Sequence, residues 1–143
     1  MSDVPREQGD ATWLRQYNRA KLGKRHQKVL DIRRQDGVLI VHVVAEELCH
    51  QEAPAQLREE LTEALADAAV RRVVFALSSV QYVASTFVGT VLWLQQLLSA
   101  RAGRICLSGV HWRVNELLKL CRVDGLVSSR PRIEEAMELV RED

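Results

Sequence analysis

Cysteine and proline are scarce in this sequence, three of each among 143 residues, and aromatic side chains make up only 5%. Cys49, Cys106 and Cys121 are an odd number at scattered positions with no C-x-x-C pair, which excludes a disulfide framework and a zinc knuckle and leaves reduced thiols. No apolar stretch is long enough to cross a bilayer, because the longest is broken by Gln95 and Gln96. The first residues lack a basic-then-apolar targeting pattern, so the expected place is the cytoplasm. Charge is nearly balanced at +1, which gives no global attraction to nucleic acid. Nucleotide loops and catalytic signatures are missing too: there is no G-x-S-x-G, no Walker loop, no G-x-G-x-x-G and no H-E-x-x-H. The four histidines, His26, His42, His50 and His111, are dispersed, and the adjacent Cys49 and His50 would need two further ligands to hold zinc. The sequence therefore predicts no metal, no cofactor and no enzyme.

What is present is a soluble α/β pattern, 47% hydrophobic and 27% charged, of a length suited to a single core. It is organised around the stretch from Arg71 to Leu98. Val73, Val74, Phe75, Ala76 and Leu77 form an apolar run without alternation, the mark of a strand covered on both faces. Val80 and Tyr82 continue with a period of two. Phe87, Val88, Val91, Leu92, Trp93, Leu94, Leu97 and Leu98 then recur at helical spacing around more than half the circumference, predicting a mostly buried helix from Thr86 to Ala102. Between strand and helix lie Ala84, Ser85 and Thr86, where a helix start offers unpaired amides and a positive dipole end.

Residues 1–26 read as a polar tail carrying a short basic, aromatic helix, with Trp13, Leu14 and Tyr17 among Arg15, Arg19, Lys21, Lys24 and Arg25. That helix either docks on its own domain or serves as a partner or membrane-surface arm. Residues 27–143 are the folded domain. Val29 to Arg34 and Val38 to Val44 are strands joined by an Asp36-Gly37 hairpin turn. Glu46 to Glu52 is a polar connection, and Pro54 opens a helix with Leu57, Leu61, Leu65 and Ala68 inward. Gly103 is read as a left-handed cap before a strand from Arg104 to Ser108. The next helix, Trp112 to Arg122, carries Val114, Leu117, Leu118 and Cys121 on one stripe and ends by Gly125, and Leu126 to Val127 adds an edge strand. Pro131 opens a last helix with Ile133, Ala136, Met137 and Val140 inward. The fold class is α/β: a hairpin followed by strand and helix alternation, with a mixed sheet of four to five strands and helices mainly on one side.

Ser85 and Thr86 carry the sharpest alternatives. Either hydroxyl could cap the following helix, which spacing alone favours, or accept a phosphoryl group beside its free amides. Trp112 is a docking anchor or a core-edge residue.

Three stretches together resemble the STAS family, the small domains of anti-sigma factor antagonists and related modules. Val41 to Cys49 looks like the family's strand-Gly-Glu-Leu-Asp segment. Val73 to Gly89 resembles its strand followed by Asp-Ser-Ser-Gly-x-Gly, here Ala84-Ser85-Thr86-Phe87-Val88-Gly89. Leu107-Ser108-Gly109 leads into a helix as in that family. The likeness implies a single STAS-like domain and a non-catalytic regulatory module that binds a protein partner, a serine kinase, anti-sigma factor or similar regulator. It places the phosphoacceptor at Ser85, with Thr86 beside it, and the partner-binding residues at Glu46, Glu47, Cys49, Ala84, Ser85 and Phe87. The family's acids before the acceptor and after Glu-Leu are Ala84 and Cys49 here, and its following glycine is Phe87. Other family members imply an alternative, a cytoplasmic STAS subunit of a membrane lipid or solute transporter. The resemblance leaves open whether the chain pairs with a second copy of itself.

Overall fold

The computed structural model describes residues 28–142. The expected basic aromatic helix, His26 and the boundary at residue 26 lie outside them. The domain opens with the hairpin of β1 (Leu30–Gln35) and β2 (Val38–Val43). Asp36 and Gly37 take φ angles of 52° and 79°, the paired left-handed conformation that lets a two-residue turn follow the twist of its strands. β3 (Glu47–Leu48) and α1 (Ala53–Ala64) follow, then β4 (Arg72–Ala76), β5 (Tyr82–Val83) and α2 (Thr86–Ala100). The chain closes with β6 (Arg104–Ser108), α3 (Trp112–Leu120), β7 (Ser128–Arg130) and α4 (Ile133–Arg141).

The main sheet has five strands in the order β1-β2-β4-β6-β7. Only β1 pairs antiparallel, while β2, β4, β6 and β7 run parallel, so the sheet is mixed. Successive residues of β4 supply both layers. Val73 and Phe75 face a front core with Leu39, Val41, Leu57, Leu61, Val91, Leu94, Leu98, Ile105, Val114 and Leu118. Val74 faces a smaller back core of Val38, Ile40, Cys106, Ala136, Met137 and Val140. Among the described residues, α1, α2 and α3 thus cover one face and α4 the other. Burial on both faces is why β4 reads as an unbroken apolar run.

Arg101 fastens two of the front helices together. Its guanidinium donates to the carbonyls of Leu65 at 2.8 Å, Val70 at 3.1 Å and Asp67 at 3.2 Å, satisfying acceptors left over where α1 ends.

Several boundaries differ from the sequence expectation, each for a local reason. Helix α1 stops at Ala64, so Ala68 falls in the following loop and is exposed rather than inward. At the end of α2 the left-handed residue is Ala102, with φ of 55°, not Gly103. Gly103 is required by close approach instead, since a Cβ there would collide with the Arg71 carbonyl. Helix α3 ends at Leu120, and Arg122 rather than Gly125 takes the left-handed turn, with φ of 59°. That early stop leaves Cys121 exposed, off the expected apolar stripe. The edge strand is Ser128–Arg130, because Val127 turns into the front core while the polar residues after it pair with β6.

Candidate protein-docking face

The parallel strands β2 and β4 both release the chain at the same edge of the sheet, and there the loops after them are stitched together. The Glu46 carbonyl accepts from the amides of Gln81 at 2.7 Å and Tyr82 at 3.3 Å. Glu47 and Leu48 of β3 then lie parallel to Tyr82 and Val83 of β5. Leu48 is buried and Glu47 exposed, so this short ladder is anchored by an apolar side chain while it turns a carboxylate outward. The sequence expectation of a plain polar connection missed it, since two residues carry no period to read.

Glu47 organises the loop beyond. Its Oε2 accepts from the Cys49 amide at 2.6 Å and its Oε1 lies 3.4 Å from His50 Nδ1. The backbone amide of Cys49 foremost, with help from His50, holds the Glu47 carboxyl below the usual carboxylate range. On the adjoining loop the Ser79 hydroxyl meets His42 Nε2 at 3.3 Å.

The turn into α2 settles how Ser85 sits. Its backbone is already helical, with φ of −58° and ψ of −26°, and its side chain makes no capping hydrogen bond. A capping hydroxyl needs extended backbone to fold back on the amides that follow, so the capping expectation fails for Ser85. Those amides close on the main chain instead: Phe87 N–H donates to the Ala84 carbonyl at 2.9 Å and Val88 N–H to that of Ser85 at 3.1 Å. Ser85 and Thr86 are both exposed.

Of the expected partner-binding residues, Glu46, Glu47, Cys49 and Ser85 are exposed on this edge, and Ala84 is half-buried. Phe87 is different: it is 3% exposed, and its ring stacks on Phe75 with centroids 6.2 Å apart and planes 19° from parallel. It is a core residue, not an apolar anchor for a partner, because α2 turns that position toward the sheet.

Other aromatic residues take the outer position. Trp112 is 65% exposed and Tyr82 45% exposed. The first turn of α3 lies against β5, and the Arg113 guanidinium sits 4.6 Å from the Tyr82 ring centroid and 5.0 Å from that of Trp112. His111 Nδ1 accepts from the Arg113 amide at 3.2 Å and thereby caps α3. Trp112 at a helix start was the available signal in the sequence, whereas Tyr82 reads only as the continuation of a strand period. Among the described residues no group of three or more His, Cys, Asp or Glu could hold a metal ion, and no helix is long and apolar enough to cross a membrane.

Fold and site together define a small α/β domain with an exposed loop face at the ends of its parallel strands. The STAS domain profile matches residues 29–136, and the chain belongs to that family. Among solved structures it is similar to an anti-sigma factor antagonist from Mycobacterium paratuberculosis, with TM-score 0.69 and 22% identity over 79% of this chain and 93% of that one. The anti-sigma factor antagonist SpoIIAA in its unphosphorylated form gives TM-score 0.66 and 22% identity over 78% of this chain and 96% of that one. The murine anion transporter Slc26a9 gives TM-score 0.66 at 15% identity, covering 78% of this chain and 19% of the transporter. A search of curated proteins finds no match.

Proposed function

We propose that this chain is a non-catalytic regulatory module of the anti-sigma factor antagonist kind, which binds a protein regulator through the face formed by Glu46, Glu47, Cys49 and Ser85. The observation that carries the reading is the stitching of that face. The Glu46 carbonyl and the β3–β5 ladder bind the loop after β2 to the segment leading into Ser85, which makes one surface from two loops. A surface held by main-chain hydrogen bonds costs little ordering when a partner covers it. The regulator is a serine kinase, an anti-sigma factor or a similar protein of the cytoplasm.

Calorimetry of the purified chain with the serine kinases and anti-sigma factors of its own cell tests this. Glu47→Arg reverses an exposed charge on the face, at the cost of the bonds its carboxylate makes to Cys49 and His50, and is expected to weaken binding about tenfold while far-ultraviolet dichroism stays unchanged. Undiminished binding by Glu47→Arg and Ser85→Trp alike would place the interface elsewhere. A second reading is a STAS subunit that binds the cytoplasmic ATPase of a transporter; the Slc26a9 likeness places the same fold in an anion transporter and bears on the fold alone. Binding to such an ATPase in preference to any kinase would favour it.

A further inference from the structure

Among the described residues, Arg113 is a cation beside the proposed face whose donors are unspent. Its guanidinium carbon lies over Tyr82 at 4.6 Å and over Trp112 at 5.0 Å, so two rings hold the cation. Its own amide is bonded to His111 Nδ1, which fixes the backbone beneath. Yet no hydrogen bond or ion pair engages the guanidinium N–H groups among the described residues. Two nearby acids are held elsewhere: Glu47 by the Cys49 amide and His50, and Glu116 by Lys119 at 3.6 Å. A guanidinium stacked on ring faces keeps its N–H edge outward, and that fork matches the two oxygens of a carboxylate. On either side are the exposed parts of Trp112 and Tyr82, rings that bury large apolar area with little rotamer loss once covered.

Resting on the reading of this face as a protein-docking surface, we infer that the Tyr82-Arg113-Trp112 stack is the receptor for an acidic side chain on the partner, one flanked by a large apolar residue. Arg113 takes the carboxylate on its edge, and Trp112 and Tyr82 take the apolar neighbour. The occupant is an Asp- or Glu-bearing peptide segment, because Arg113 offers a positive guanidinium fork that no acid among the described residues pairs, and that fork fits a carboxylate.

The test is selection of a random linear peptide library on phage against the full-length protein, followed by affinity measurements on the synthesised consensus peptide. The expected consensus pairs Asp or Glu with Trp, Phe or Leu. Its affinity is expected to fall about tenfold in Arg113→Lys, which keeps the charge but loses both fork and stack. Trp112→Ala is expected to lose a similar factor, and far-ultraviolet dichroism of each variant is expected to be unchanged. A consensus without acids, or acidic peptides bound equally by the native chain and Arg113→Lys, overturns the inference. Peptides that bind and are blocked by Glu47→Arg but not by the Arg113 variants overturn it while leaving the docking face intact. Recovery of no peptide counts against both.

Discussion

Phe87 stands where the family pattern has glycine, and it fills the space that a glycine leaves. Its ring is 3% exposed and stacks on Phe75, itself fully buried between sheet and helix. Truncating it opens a cavity where β4 and α2 meet, so Phe87→Ala is expected to cost about 3 to 5 kcal/mol, seen as a lower urea midpoint at unchanged slope. Trp112→Ala, at 65% exposure, should leave that midpoint nearly where it was. The cysteines divide the same way. Burial pushes the Cys106 thiol up, against a weaker downward pull from Arg130, while Cys49 and Cys121 are exposed. A folded-state value raised above the unfolded one gives stability that is whole below the unfolded thiol range and drains away as pH climbs through the raised value. Near neutral pH Cys106 therefore stays a thiol, and iodoacetamide on the native protein is expected to modify Cys49 and Cys121 only. Mass spectrometry that finds Cys106 labelled without denaturant would contradict its burial. Helical spacing alone puts Cys121 on the apolar stripe of α3. The spacing holds no sign that α3 stops at Leu120.

Among elements, those bounded by strong local chemistry were legible and those set by a neighbour were not. The Asp36-Gly37 turn, the apolar run of β4 and the dense apolar helix α2 all announce themselves in the chain. The strand β7 does not, because Ser128, Ser129 and Arg130 are exposed and owe their conformation to pairing with β6. The β3–β5 ladder depends likewise on two loops meeting. Of the candidate site, the positions of Ser85, Glu46 and Glu47 were readable by resemblance. The inward Phe87 was legible in the helical spacing of the apolar residues, and only the resemblance set it on the docking face, whereas the outward Tyr82 was not, since its position depends on the pairing of β5 with β3. Two glycines test the packing logic in opposite directions. Gly103 abuts the Arg71 carbonyl, so Gly103→Ala must shift backbone and is expected to cost about 1 to 3 kcal/mol. Gly89 lies exposed inside α2 with nothing within 4 Å of an added Cβ, so Gly89→Ala is expected to stabilise the domain by about 0.5 to 1 kcal/mol. Thermal denaturation of the two variants should move the midpoint down and up respectively.

The whole molecule separates its cores from its proposed docking face. Three helices and the sheet enclose the front core, α4 closes the back, and the loops stitched by the Glu46 carbonyl lie at the ends of the parallel strands. A charge added at Ser85 is thus borne by the first turn of α2, not by either core. There a phosphate meets the positive end of the helix dipole, so modification is not expected to unfold the domain. Ser85→Glu should keep the thermal midpoint within a degree or so while altering affinity for the partner, as a change confined to the surface does. Phosphoryl transfer is a separate demand, because it needs the serine hydroxyl held in line with the nucleotide by a positioned group. Where the family has acids, this chain has Ala84, half-buried, and Cys49, and neither supplies a carboxylate to orient the hydroxyl or a metal-bound nucleotide. The Ser85 hydroxyl is also left without a capping bond to fix its direction. Ser85 is therefore expected to be a poor phosphoacceptor and the partner contact to be constitutive or governed elsewhere. Mass spectrometry of the protein from its own cell, and after incubation with its cognate kinase, checks this. Stoichiometric phosphate on Ser85 would overturn the expectation, and phosphate on Thr86 alone would keep a switch at this turn but move its acceptor one residue into α2.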